Sequence, residues 1–487
     1  MKKDYKVFFL VLNWSIIFIG GRKMKKLFKE NDLVKFVLIA IVLTIVLTWI
    51  IPTGSYNGAE FVKNEVTRTG INEVALSNVY AVSFFLQQII YVLVLGAFYG
   101  VISKTNGYKE LVIKCAKFVK GKEVPVVLVI SALIAIFVSL TAQVFISILA
   151  IPFIITVLLN AKLDRKTAFI ATFGSIFVGM IGATYGTEGL YYFNYYMNGD
   201  ITKGLKLRFA LLCVAYVIFS IFNISHIKKA AKSKNIDETK DDSFAIESTT
   251  KKNVKVWPIA ILLLVVCVFA VLGYVRWEEH YKITTFTKFH EWFTGLKIGK
   301  FAVGTSIFGK VTAFGTWELY SIFGVLLIVA ILASVLYKLS IDEVIDGVTN
   351  GISKMVKPVV LMVLAYSVFV IVYWSPIVPT ITNAILSSKF NAIRTAFAAL
   401  VSSFFTADFG YVGYTVGQYL SAAYTNSLDK IFVIYPTMHG LVQMFSPTSV
   451  ILLAGLAYLN ISYKDWIKQI WKFLLAMLII SLIIFAI

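Results

Sequence analysis

Two short polar stretches interrupt the apolar runs of this chain and carry the groups best suited to chemistry. The first is Gly179-Met180-Ile181-Gly182-Ala183-Thr184-Tyr185-Gly186-Thr187-Glu188-Gly189. Its four glycines and two threonines weaken a helix, free carbonyls and present hydroxyls. The second is Gln443-Met444-Phe445-Ser446-Pro447-Thr448-Ser449, where Pro447 removes an amide donor and breaks the helical ladder. Ser446, Thr448 and Ser449 can then line a polar pocket beside unwound carbonyls, a set suited to Na⁺ or a substrate carboxylate. The plainer alternatives are close helix packing at the glycines and a simple proline kink.

Two further apolar stretches, 124–159 and 395–425, carry a related pair of motifs, Ser139-Leu140-Thr141-Ala142-Gln143 and Phe404-Phe405-Thr406-Ala407-Asp408. Asp408 is the sharpest single residue. A carboxylate at membrane depth is costly, so it faces a partner or a cavity and can hold a proton, Na⁺ or a cationic substrate group. The alternative is a hairpin tip at the water surface. Gln143 occupies the matching place and hydrogen-bonds without charge; Glu188 is a second acidic candidate. The expected substrate- or ion-binding residues are Thr141, Gln143, Gly182, Thr184, Thr187, Ser403, Thr406, Asp408, Gln443, Ser446, Thr448 and Ser449. A sodium site is expected near Gly182, Thr184, Ser446 and Thr448, with Na⁺ or a proton as the coupling ion and no other cofactor.

Enzyme chemistry lacks its parts. His439 stands alone in an apolar span, where a satisfied core histidine is the expected reading, and no HExxH, GxSxG or phosphate loop occurs. Cys115, Cys213 and Cys267 form no ligand spacing. The run Tyr191-Tyr192-Phe193-Asn194-Tyr195-Tyr196 fits an outer membrane interface better than a ligand cage.

The elements that position these residues are membrane spans. The 487 residues are 59% hydrophobic and only 15% charged, against about 25% charged in a soluble domain. Apolar runs of 18 residues and more cross a ~30 Å hydrocarbon core. Spans are expected at 33–51, 84–103, 167–190, 207–225, 256–276, 316–339, 358–376, 431–459 and 467–487. The stretches 124–159 and 395–425 each read as a hairpin of half-length helices that enters and leaves on one side. The net charge of +20 then marks topology, not nucleic acid. Lysine-rich segments 22–29, 104–123 and 228–255 fall on one side if the N-terminus is cytoplasmic, placing the protein as a multi-pass protein of the cytoplasmic membrane.

The expected organisation is an N-terminal extension and basic segment (1–32), a first transmembrane repeat (33–225), a cytoplasmic linker (226–255), a connecting span and outer loop (256–315) and a second repeat (316–487). Residues 1–23 read as an upstream extension ahead of a start at Met24. The two repeats follow the same order of span, span, hairpin, span, span. An odd number of crossings separates their starts, so the second is inverted. The fold class is all-α and polytopic, with two inverted repeats, each with a re-entrant hairpin and a broken span.

Thr48-Trp49-Ile50-Ile51-Pro52-Thr53-Gly54 resembles the opening of the four-carbon dicarboxylate carrier family (DcuC/YfcC-like) of the ion-transporter superfamily. So do Gly96-Ala97-Phe98-Tyr99-Gly100-Val101-Ile102 with Lys104-Thr105, Ser403-Phe404-Phe405, and Ser446-Pro447-Thr448-Ser449 with Ile461-Ser462-Tyr463-Lys464-Asp465-Trp466. The resemblance covers 33–487. It implies a transport domain that moves like an elevator, often in homodimers and often driven by Na⁺. Departures occur at Ala142-Gln143, where the family usually has an acidic pair, and at Tyr185-Gly186, where it often has Asn-Pro.

The expected function is secondary transport of small organic anions or amino acids, by ion coupling or exchange. Asp408, with no Lys or Arg in the proposed site, tilts the substrate slightly toward a cationic amino acid. On this reading Asp408→Asn abolishes or uncouples uptake. The alternative is a membrane enzyme or flippase acting on lipid-linked sugars, for which only the scattered acids of 277–315 are available.

Overall fold

The computed structural model describes residues 32–232, 244–246 and 254–486. The readings of 1–23 as an extension and of 22–29 as a basic segment fall outside these residues; of the expected linker 226–255, residues 226–232 continue a helix, and 233–243 and 247–253 lie outside the described residues. The protein is helical nearly throughout. Among the described residues, eight helices are long and apolar enough to cross a membrane.

The chain opens with α1 (Asp32–Ile50), a short β-hairpin of β1 (Gly54–Asn57) and β2 (Glu60–Lys63), and α2 (Ile71–Phe84). α3 (Leu86–Lys104) ends at Thr105, whose hydroxyl caps α4 (Asn106–Val119) by accepting from the Tyr108 amide at 3.2 Å. α5 (Glu123–Thr141) is the first arm of a hairpin. Its return arm is α6 (Val144–Ser147), a 3₁₀ turn and α7 (Ile151–Asn160). The first arm has 19 residues and is not of half length, as the sequence reading had it. No breaker interrupts it until Ala142, which ends it in the left-handed region at φ 52°.

The expected span 167–190 is a broken helix. α8 (Arg165–Phe169), a π-helical turn and α9 (Ser175–Ile181) run to the break at 182–186, and α10 (Thr187–Met197) continues beyond it. α11 (Leu205–Lys232) and α12 (Trp257–Tyr274) cross next. The stretch taken as a simple outer loop folds into α13 (Trp277–Tyr281), α14 (Thr285–Gly295), the ladder β3 (Lys297–Ile298) and β4 (Phe301–Ala302), and α15 (Val303–Phe308).

α16 (Ile322–Leu336) leads into α17 (Ile341–Trp374), 34 residues long where a span over 358–376 was expected. The capping box of Ser340 and Glu343 starts this helix well before its apolar part, and Pro358 sits inside it. After α18 (Val378–Ile385), the second hairpin is α19 (Ala392–Phe404) and α20 (Phe409–Ala423). The second broken span is α21 (Leu428–Gln443) and α22 (Val450–Tyr458), and α23 (Tyr463–Ala486) ends the chain.

Two packed groups position the site. α17 lies along α3 and also meets α1, α2 and α22. At the α3–α17 crossing Gly96 and Gly100 face Gly347 and Gly351 so closely that a Cβ on Gly100 would stand 2.0 Å from the Gly347 carbonyl oxygen. Farther along, Phe85 stacks on Tyr366 with ring centroids 3.6 Å apart. In the other group, α9 is enclosed by α5, α11 and α21, while α10 packs on α20 and α19 on α21.

The helix ends sort into two faces. On one, the Lys464 amide donates to Asp32 Oδ2 at 3.1 Å and Arg165 donates to the Leu459 carbonyl at 3.2 Å. Asp164 and His226 meet there at 3.3 Å. Burial alone would raise the Asp164 carboxyl, but hydrogen bonds from His226 and Thr167 outweigh it and hold it below its usual 3.8. On the other face Lys203 pairs with Asp429 at 3.8 Å, and Tyr56 donates to the Pro379 carbonyl at 3.2 Å.

Candidate functional site

The tip of each hairpin docks on the break of a broken span through hydroxyls and free carbonyls. In the first half the Thr184 hydroxyl donates to the Ser139 carbonyl at 3.1 Å, and the Thr184 amide donates to the same oxygen at 2.9 Å. Ser139 Oγ donates in turn to the Gly182 carbonyl at 2.6 Å. Behind the tip the Gln143 amide donates to Thr141 Oγ1 at 3.1 Å. In the second half the Thr448 hydroxyl donates to the Phe404 carbonyl at 2.6 Å, and the Asp408 amide donates to Thr406 Oγ1 at 2.9 Å. Ser446 and Thr448 hydroxyls lie 2.7 Å apart. Gln443 Nε2 ties α21 to this tip by donating to the carbonyls of Ser403 (3.3 Å) and Thr406 (3.0 Å). Thr184 thus does in one half what Thr448 does in the other, and Thr141 what Thr406 does.

Between the two tips lies a cavity of about 570 Å³. Its wall includes Ala142 and Gln143 of the first tip, Ala407 and Asp408 of the second, and Ala183, Gly186, Gln443 and Ser449 from the breaks. Tyr366, Phe369 and Tyr373 of α17 close another side, with Gln87 and Gln88 at the start of α3.

The sequence-predicted residues therefore divide. Gln143, Asp408, Gln443 and Ser449 line the cavity. Thr141, Gly182, Thr184, Ser403, Thr406, Ser446 and Thr448 are buried behind it, in the two docking clusters. The side chains of Thr187 and Glu188 lie outside the described ones; position 187 opens α10. The expected sodium-site residues do not form one group. Gly182 and Thr184 belong to the first cluster, Ser446 and Thr448 to the second.

The half-helices point their N-termini at the cavity. Asp408 is the N-cap of α20, and its Oδ1 accepts from the amides of Gly410 (2.8 Å) and Tyr411 (3.4 Å). By contrast, no side chain caps α10, which follows Gly186 at φ 48°, nor α22, whose N-cap Ser449 has a buried, unpartnered hydroxyl. Such termini carry partial positive charge and free amides, and they attract anions.

Sequence reasoning missed several groups. Gln87 and Gln88 lie at a helix start expected to be ordinary span. Tyr192 and Tyr196 of the aromatic run line the cavity, and Phe193 is fully buried against Phe409, so these three are not given over to an outer interface as expected. His439 is not satisfied as a core histidine would be: it is buried on the cavity wall with both ring nitrogens unpartnered. Its signal was visible as the one histidine inside a span expected from the sequence.

No Lys or Arg lines the cavity among the described residues, but one stands behind its wall. Arg208, fully buried in the first turns of α11, donates to the Ala183 carbonyl at 3.4 Å and to the Lys203 carbonyl at 3.1 Å. It reaches the Ile201 carbonyl as well. A buried guanidinium thus pins the first break from behind the cavity. Arg208→Gln should orphan these carbonyls and lower stability by about 2–4 kcal/mol, read as a drop in apparent melting temperature in detergent. Arg208→Lys, which cannot form the same fork, should recover only part.

No curated protein sequence matches this chain. Among solved structures it is similar to the YdaH transporter of Alcanivorax borkumensis, at 11% identity and a TM-score of 0.39, over 94% of this chain and 97% of that one. The model of a family of transporters, described as C4-dicarboxylate anaerobic carrier, matches residues 31–487. The chain, a multi-pass membrane protein by its helices, belongs to that DcuC carrier family.

Proposed function

We propose that this protein is a secondary transporter that carries C4 dicarboxylates across the cytoplasmic membrane with its N-terminus inside the cell. The observation that carries the reading is the cavity between two hairpin tips, with the uncapped N-termini of α10 and α22 turned toward it. Two helix termini, one from each half, suit the two carboxylates of one substrate. The tilt toward a cationic amino acid rested on Asp408. That carboxylate already serves the N-terminus of its own helix, so it is a poor argument for a cationic ligand. Family membership favours the dicarboxylate and a carrier over a membrane enzyme or flippase.

The mechanism we propose is alternating access of two inverted repeats. The hairpins and broken spans move together, elevator-like, against α1, α3, α16 and α17, in a homodimer. The matching bonds of Thr184 and Thr448 support the repeat; α17 packs on α22 of the second broken span, so the proposed movement must slide along that contact. Either docking cluster offers neutral oxygens of the kind that hold Na⁺ at an unwound helix: Ser139 O, Gly182 O and Thr184 Oγ1, or Phe404 O, Ser446 Oγ and Thr448 Oγ1.

Uptake of labelled succinate, fumarate and arginine into proteoliposomes, with and without Na⁺, tests this reading. The dicarboxylates should accumulate or exchange and arginine should not. Succinate at about 100 times its Kd should also stabilise the purified protein by ~2.7 kcal/mol. Arginine transport without dicarboxylate transport would overturn the proposal.

A further inference from the structure

Three buried polar groups without a protein partner open on the same cavity: Gln88 Oε1 on α3, both ring nitrogens of His439 on α21, and Ser449 Oγ at the start of α22. Most buried side-chain polar atoms in proteins have a partner, protein or water, so three that lack a protein partner and arrive from separate elements at one cavity mark a surface for water or a ligand. His439 is the most telling of them. It is only 3% exposed, and its ring lies 4.9 Å from that of Phe409. The Ala407 backbone at the second hairpin tip stands beside the ring, but neither nitrogen reaches hydrogen-bonding geometry.

The ionisable neighbours narrow its role. From α20 the wall carries Asp408, Tyr411 and Tyr414; from α17, Tyr366 and Tyr373; from α10, Tyr192 and Tyr196. Glu318 stands exposed at the rim, and Arg208 lies behind Ala183. Among the described residues, α9, α11, α19 and α23 add no ionisable side chain to the wall. Histidine alone among these types ordinarily changes charge between pH 5 and 8. Asp408 is engaged with its own helix.

A dicarboxylate entering this cavity brings two negative charges into a poorly solvated space. An imidazole that gains a proton there donates from both ring nitrogens and supplies a counter-charge. Resting on the dicarboxylate reading above, we propose that His439 takes up one proton as the dianion binds, so that substrate and proton cross together, with Gln88 and Ser449 as further polar contacts. The proton comes from solution on the side to which the cavity is open and goes to one ring nitrogen. It returns to solution when the substrate leaves on the far side, and no bond in the substrate changes.

Calorimetry of succinate binding to the purified full chain, in two buffers of different ionisation enthalpy, counts this proton. Near neutral pH the wild type should take up close to one proton per succinate. Its Kd should weaken about tenfold per pH unit above the histidine's titration. His439→Gln should bind more weakly, with proton uptake and pH dependence both lost; His439→Asn provides a second folded variant. Ser449→Ala should weaken binding without changing the proton count. Binding by the wild type with no proton uptake, or uptake that persists in His439→Gln, would overturn the proposal while leaving the dicarboxylate reading intact. Failure to bind any C4 dicarboxylate would overturn both.

Discussion

Replacing Asp408 by alanine should reduce transport at least 100-fold and destabilise the protein by about 1 kcal/mol, the usual cost of losing an aspartate N-cap. The large effect on transport follows from position. Asp408 closes the first turn of α20 by accepting from Gly410 and Tyr411, and its own amide donates to Thr406 Oγ1 at 2.9 Å. These bonds shape the second tip, which forms part of the cavity wall, and Gln443 grips the same tip through the Thr406 carbonyl. Without the cap the amides of Gly410 and Tyr411 lose their acceptor at membrane depth, and the tip loosens where substrate must be held. The geometry also changes what asparagine should do. Asn caps about as well as Asp, so Asp408→Asn should restore the melting temperature and bring uptake to within about tenfold of wild type. The sequence alone, with only an intramembrane charge to reason from, pointed to loss of uptake. Initial rates in proteoliposomes, beside melting curves for all three proteins, decide between cap and charge. Uptake that stays absent in a fully stable Asp408→Asn would assign the role to the charge.

Gly100→Leu should yield no monodisperse protein, and even Gly100→Ala should destabilise it by about 3 kcal/mol. A Cβ at position 100 would meet the Gly347 carbonyl oxygen at 2.0 Å and the Gly351 Cα at 2.9 Å. Both obstacles are backbone, so no rotamer change relieves them. The reciprocal approach is equally close: a Cβ on Gly351 would stand 2.0 Å from the Gly96 carbonyl oxygen. Within a bilayer, helix association rests on close packing between small residues. Separating α3 from α17 would also displace Gln88, Tyr366 and Tyr373 from the cavity wall. Size-exclusion profiles of tagged variants read the outcome, with Gly324→Ala as a control, since a Cβ there meets nothing within 4 Å.

Much of this was legible in residue order. The breaks after Ile181 and Gln443 follow from glycines, threonines and Pro447, because helix interruption is decided within a few residues of backbone. The pairing of Thr141 with Thr406 and of Gln143 with Asp408 was visible as a repeated motif, and both pairs occupy equivalent places at the tips. The length of α17 was not foreseen, because its first turns are polar and a hydropathy window registers only the apolar part. The β-hairpin at 54–63 escaped for a similar reason: its strands are four residues each and stand outside any apolar run.

The sequence by itself determined that this is a polytopic membrane protein with two interrupted spans, because hydrophobicity and helix breaking act over short distances along the chain. Only the tertiary structure decided which polar groups face the cavity and which are spent on docking. Those assignments depend on contacts between residues far apart in the chain, from the Thr184 hydroxyl on the Ser139 carbonyl within one half to the Thr437 hydroxyl on the Ile181 carbonyl at 3.0 Å between the halves. Thr184 and Ser446 looked like ligands and are occupied with carbonyls of their neighbours; His439 and Gln88 did not look like ligands and are, with Ser449, among the groups without a protein partner. Whether a hydroxyl or imidazole is satisfied is a property of what packs against it, and no local pattern records that.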